Sequence, residues 1–163
     1  MPVRQSRPAV RVAVLMERVA EPNRWEAWGH RVVEVVPHDD AFGTEPRVLR
    51  DDGKVRSTLH PAYTLELFRD EAPGYWLNLA SGAPVWFVVL GIDDEDPSRA
   101  WPERLSLSYD EAGRWLDAQE RVDNVPLQPD LAAWLQVYAD ENYRPEPRKR
   151  RRPQSFVPPE QRR

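Results

Sequence analysis

The chain has 163 residues and a net charge of −4, enough for one domain and short of two. It contains no cysteine, which excludes disulfides, iron–sulfur ligation, thiolate zinc sites and cysteine nucleophiles. Apolar residues make up 40% and include seven tryptophans, so one core is within reach, while seventeen prolines call for short elements and extended connections.

The first half reads as strands. Val10, Val12 and Val14 alternate in a run that ends near Met16, and His30 to Val36 is a second β-branched run closed by Pro37. Asp39 to Thr58 carries no clear period and is expected as loop. Thr64 to Phe68 places Leu65 and Leu67 on one face. Asp70 to Gly74 has turn chemistry, and Tyr75 to Leu79 is expected to return as a strand. Ser81-Gly82 turns the chain into Val85 to Leu90, which is apolar on both faces and so is expected as a central, covered strand. Asp93 to Ala100 reads as a loop, and Arg104 to Ser108 as one more short strand.

Two helices follow. Ser108-Tyr109-Asp110-Glu111 fits a capping box, with Ala112, Trp115, Leu116 and Gln119 at helical spacing behind it. Asp123 to Pro126 is expected to break that helix. Pro129 suits a first helical position, and Leu131, Trp134, Leu135 and Tyr138 form an i, i+3, i+4, i+7 stripe that ends near Asn142, before Pro145. Strands followed by helices predict an α+β domain over residues 9–143. Its expected form is a curled antiparallel sheet or half-barrel of about five to six strands, then two C-terminal helices and a basic tail.

That tail spans residues 144–163. It holds eight basic residues against Glu146 and Glu160, so it carries +6 and the remainder of the chain −10. Such asymmetry marks a chain that touches something. Arg148 to Arg152 are five consecutive cations that repel one another, followed by Phe156, Val157 and a proline pair. Cations that steer and a phenylalanine that fills a pocket make a docking peptide, with Arg150, Arg151, Arg152, Phe156 and Val157 as its partner-binding residues. The bland alternative is a solubilising tail. Nucleic acid is the rival partner, but the acidic body repels phosphate and only one aromatic is interleaved.

Trp25 and Trp28 lie three apart beside charge, between two predicted strands. They are either an exposed anchor for the same partner or tucked under a sheet edge. Trp86, Trp115 and Trp134 fall on core faces.

Motifs of chemistry are scarce. The seven glycines are isolated, so neither a GxGxxG turn nor a phosphate-binding loop is present, and no cofactor is expected. His38-Asp39-Asp40 offers a nitrogen and two carboxylates, and Asp93 to Asp96 four carboxylates, yet neither has the spacing of a metal loop, and both read as solvated strand exits. Ser57 and Ser81 stand in predicted loops without a nucleophile elbow. A non-catalytic binding protein is therefore expected. The apolar stretch from Val12 to Met16 is too short for a secretory core or a bilayer span, which makes the cytoplasm the expected location.

Several blocks resemble an uncharacterised proteobacterial family, domain of unknown function thirty-three-oh-five. They are Asn23-Arg24-Trp25, Pro73 to Leu79, Pro84 to Val88, Ser108 to Asp117 and Arg151 to Val157. The likeness spans about residues 10–157, nearly the whole chain. Members tend to be encoded beside molybdenum formate dehydrogenases and their maturation factors, so the resemblance implies an accessory or assembly role around that enzyme. It brings no catalytic residues.

Overall fold

The computed structural model describes residues 6–144. Seven strands and three α-helices follow one another along them: β1 (Ala9–Ala20), β2 (Trp28–Pro37), β3 (Arg47–Asp51), β4 (Val55–Glu66), α1 (Ala72–Ala80), β5 (Val85–Ile92), β6 (Ala100–Ser106), α2 (Tyr109–Asp117), β7 (Val122–Pro126) and α3 (Pro129–Asn142). The strands form two antiparallel sheets, one ordered β2-β1-β4-β3 and the other β6-β5-β7. The class is α+β, as expected. The single curled sheet is replaced by two sheets that do not join into one ladder.

Residues directly opposed in an antiparallel pair place their side chains on the same face. In the larger sheet Val12 opposes Pro37 and Tyr63, Val14 opposes Val35 and His60, and Met16 opposes Val32 and Thr58. Val12, Val14, Val32 and Val35 are buried in the main core and mark the inner face. The smaller sheet supplies Trp86, Val88 and Leu90 to the same core. The alternate residues of β5, Phe87 and Val89, pack on Ala112 and Trp115 of α2 instead. The central strand is covered on both sides, as its two-faced apolar run predicts.

β2 pairs with β1 on one side only, so its other edge needs partners. Side chains around β7 supply them. Asp123 Oδ2 accepts from Val32 N at 2.9 Å, Arg121 donates to the His30 carbonyl, and Gln128 Nε2 donates to the Val35 carbonyl. Gln128 Oε1 in turn accepts from the buried Trp86 Nε1 at 3.0 Å. Along the opposite seam Tyr63 donates its hydroxyl to the Pro102 carbonyl at 2.6 Å, and burial raises the Tyr63 pKa to about 12.

The helices pack against one another and against the smaller sheet. Tyr75 of α1 meets Tyr138 of α3 edge-on at 5.9 Å. Ser108 caps α2 by accepting from Glu111 N at 3.1 Å, the serine half of the expected capping box; the glutamate's return bond is replaced by Ser106. The Ser108 amide turns to Ser106 Oγ at 3.0 Å. The Ser108 hydroxyl donates to buried Glu71 at 2.6 Å, and Arg114 pairs with that same carboxylate. Gly74 admits this approach: a Cβ there would stand 2.0 Å from Ser108 Oγ.

Five expectations are corrected. Asp39 to Thr58 is not loop: it holds a 3-10 turn at Asp40–Phe42, all of β3 and the start of β4. β3 is an edge strand exposed at every residue, so no alternation betrays it. Tyr75 to Leu79 is helical. Pro73 starts α1, and Ala72, Tyr75 and Asn78 recur on its buried side, a period that a short run of mixed apolar residues hides. Asp123 to Pro126 breaks nothing; it is β7, paired with β5. Leu116 is 59% exposed and Gln119 lies past the end of α2, so the buried side of that helix is Ala112 and Trp115. Three helices, not two, accompany the sheets, because α1 stands between strands.

Replacing Gln128 by leucine leaves the Trp86 indole N–H and the Val35 carbonyl without partners. Each unsatisfied buried group costs about 1–3 kcal/mol. Urea unfolding of Gln128→Leu is expected to show a loss of about 2–4 kcal/mol, and a change below about 0.5 kcal/mol would mean that the bridge between the sheets is dispensable.

Candidate functional site

The inner face of the larger sheet changes character along β1. After Val12, Val14 and Met16 comes Arg18, opposed by His30 on β2 and Arg56 on β4. The apolar row therefore ends in a row of nitrogen-bearing side chains, at the end of the sheet that the β5–β6 connection overhangs. The connection is tied down there. His30 Nε2 meets the Pro97 carbonyl at 2.8 Å, and Arg18 donates to the Ser98 carbonyl at 3.3 Å. Asp93 and Asp96 shape the connection from within: Asp93 Oδ1 accepts from Glu95 N at 2.9 Å, and Asp96 Oδ1 accepts from the Ser98 hydroxyl at 2.6 Å. These bonds to Ser98 hold the Asp96 carboxyl below its usual range.

Between sheet and connection lies an open cleft of about 370 Å³. Arg18, His30, Arg56, His60, Arg99 and Trp101 line it, with Met16, Thr58, Val48 and Ser98 between them. That volume falls in the range of small-molecule sites. Arg56 also reaches Asp51 at 2.9 Å. Trp101 forms one wall and lies against Gly91, where a Cβ would stand 2.6 Å from the indole. His60 is 8% exposed, and among the described residues no hydrogen bond engages its ring. Burial pushes its pKa below the ordinary value.

The two tryptophans expected as anchors part company beside this cleft. Trp25 stands 86% exposed in the β1–β2 connection. Its turn is held by Asn23 Oδ1, which accepts from Trp25 N at 2.8 Å and from Glu26 N at 2.9 Å. Trp28 is half-buried, with the Arg18 guanidinium 4.4 Å above its ring. The structure thus joins Trp28, through Arg18, to the cleft and leaves Trp25 facing solvent. Of the core tryptophans, Trp86 and Trp115 are buried and Trp134 is half-buried against the core. Arg150, Arg151, Arg152, Phe156 and Val157 lie outside the described residues.

His38, Asp39 and Asp40 do not converge. His38 Nε2 bonds Asp40 at 2.9 Å, whereas Asp39 turns to cap the backbone at Ala41 N. No group of three or more His, Asp or Glu among the described residues is arranged to hold a metal ion. Ser81 donates to the Asn78 carbonyl at 2.6 Å and so serves the end of α1. No helix among the described residues is long and apolar enough to cross a membrane.

A family model described as a protein of unknown function, DUF3305, matches residues 11–152. The chain belongs to that family. No curated protein and no solved structure matches it. The match takes in every strand except the first residues of β1, all three helices and the whole cleft.

Sequence reasoning missed Arg18, Arg56, His60, Arg99 and Trp101, because they meet only through strand pairing. One signal was present: the alternation Val12, Val14, Met16 breaks at Arg18 while the strand continues to Ala20.

A buried histidine whose folded pKa is lowered binds its proton less readily than in the unfolded chain. Below the ordinary value of 6.5 the unfolded state then takes up more protons, so stability falls as pH drops through that value towards the folded pKa. The expected result is a melting temperature that declines more between pH 7 and pH 5 in the wild type than in His60→Gln. Parallel declines would show that His60 is not the group responsible.

Proposed function

We propose that the chain is a non-catalytic accessory protein that binds a molybdenum formate dehydrogenase, or one of its maturation partners, in a proteobacterial cytoplasm. The observation that carries a binding role is Trp25. An indole 86% exposed, on a turn braced by two bonds to Asn23, has no use in the chain's own core. Tryptophan and arginine are enriched among the residues that dominate protein interfaces, and three residues on, Trp28 carries the Arg18 guanidinium over its ring. The sequence resemblance supplies the identity of the partner. The basic tail, with Arg150, Arg151, Arg152, Phe156 and Val157, adds a steered second contact in this reading.

The test uses the tagged full-length chain in its own host. Formate dehydrogenase or maturation subunits are expected to be retained on it, and recovery of ribosomes or DNA alone would favour the nucleic-acid reading of the tail. Against the purified partner, Trp25→Ala is expected to weaken binding by about 2 kcal/mol, roughly 30-fold, with the melting temperature unchanged. An unchanged affinity would remove Trp25 from the interface.

A further inference from the structure

We propose that the cleft between the larger sheet and the β5–β6 connection is a binding site for a small organic oxyanion, a carboxylate or phosphate carried on a flat apolar body. This inference shares Arg18 with the Trp28 stack but rests on the interior of the cleft and not on the Trp25 turn.

Charge is the first argument. Three guanidiniums line the cleft, Arg18, Arg56 and Arg99, in a chain whose net charge is −4. Glu17 is the one carboxylate along that lining among the described residues, and its Oε1 is taken by Arg31 at 3.0 Å. With Glu17 paired to Arg31 and Asp51 to Arg56, Arg18 and Arg99 still leave the cleft a local excess of cations on an acidic protein. Concave cationic surfaces raise the local concentration of anions.

Unused hydrogen-bonding capacity is the second. A guanidinium carries five N–H donors. Among the described residues Arg18 spends one on the Ser98 carbonyl, and Arg56 spends its Nε on Asp51. His60, a residue 8% exposed, borders the same space, and among the described residues no side chain or backbone group bonds its ring. A ring nitrogen without a protein partner, beside guanidinium donors that are only partly spent, is capacity for a ligand. Thr58, opposite Met16 on the same face, adds a hydroxyl that donates or accepts.

Shape is the third. Trp101 is pressed on Gly91 so closely that even a methyl group at that glycine would collide with the indole. An indole that rests on Gly91 and stays 39% exposed offers a flat wall, and Met16 and Val48 offer apolar contact nearby. A few convergent polar groups beside a rigid apolar wall are how pockets select both the charge and the body of a ligand.

The experiment titrates the full-length, isotope-labelled protein with benzoate, phenyl phosphate and benzyl alcohol, following arginine Nε and histidine ring signals by NMR. At least one of the two anions is expected to move the Arg56, Arg99 and His60 signals together on one saturating curve. Benzyl alcohol, which has the flat body without the charge, is expected to bind at least about tenfold more weakly. The stronger of the two anions identifies the head group. Arg56→Gln is expected to weaken binding about fivefold or more, the effect of one lost charge-assisted hydrogen bond. Arg99→Ala, at an exposed position, provides the same test should Arg56→Gln lose its fold. Saturation by neither anion, equal binding of benzyl alcohol, or affinity unchanged in the folded variants would each overturn the proposal.

Discussion

The fold depends on how the open edge of β2 is satisfied. Two sheets face each other across one core, but no ladder runs from one to the other. The backbone groups of β2 are met by the side chains of Asp123, Arg121 and Gln128. Gln128 matters most, because its amide bridges a carbonyl of one sheet and a buried indole of the other. A ladder would fix the spacing of the sheets at one strand width. Side-chain bridges leave room between them for Trp86 and for the opposed rows of valines.

The same arrangement makes the cleft. β1 is twelve residues long and β5 only eight, so the larger sheet outruns the smaller one. Where the second sheet no longer covers it, the inner face cannot remain apolar without exposing a patch. Arg18, His30 and Arg56 take over there, and the β5–β6 connection folds back on them through Pro97 and Ser98. The cationic cleft and the packed core are two ends of a single strand face.

Much of the fold was legible where one element has one environment. The valine run of β1, the double-sided run of β5, the Ser108 cap and the stripe of α3 carry their own periods, and each stands where its pattern implies. Elements defined by their neighbours were not legible. β3 has no buried residue, and β7 is a strand because β5 lies beside it. α1 begins with Ala72-Pro73-Gly74, which reads as a turn until Ser108 is known to press on Gly74. The site divides in the same way. Trp25 was visible as an indole without a helical or strand partner, whereas Arg56 and His60 become neighbours of Arg18 and Val14 only through a register that no local pattern states.

The bridging bonds also impose an order on assembly. Val32 and Asp123 are 91 residues apart in sequence, and Val35 and Gln128 are 93 apart. A chain emerging from the ribosome therefore completes β1, β2, β3 and β4 well before the groups that seal β2 exist. During that interval the nascent sheet presents an unpaired edge, the kind of surface on which neighbouring chains pair wrongly. Contacts of such long sequence separation form late and slowly. The glutamine that spans the two sheets is thus also a clock: the outer edge of β2 stays unsealed until residue 128 has been made.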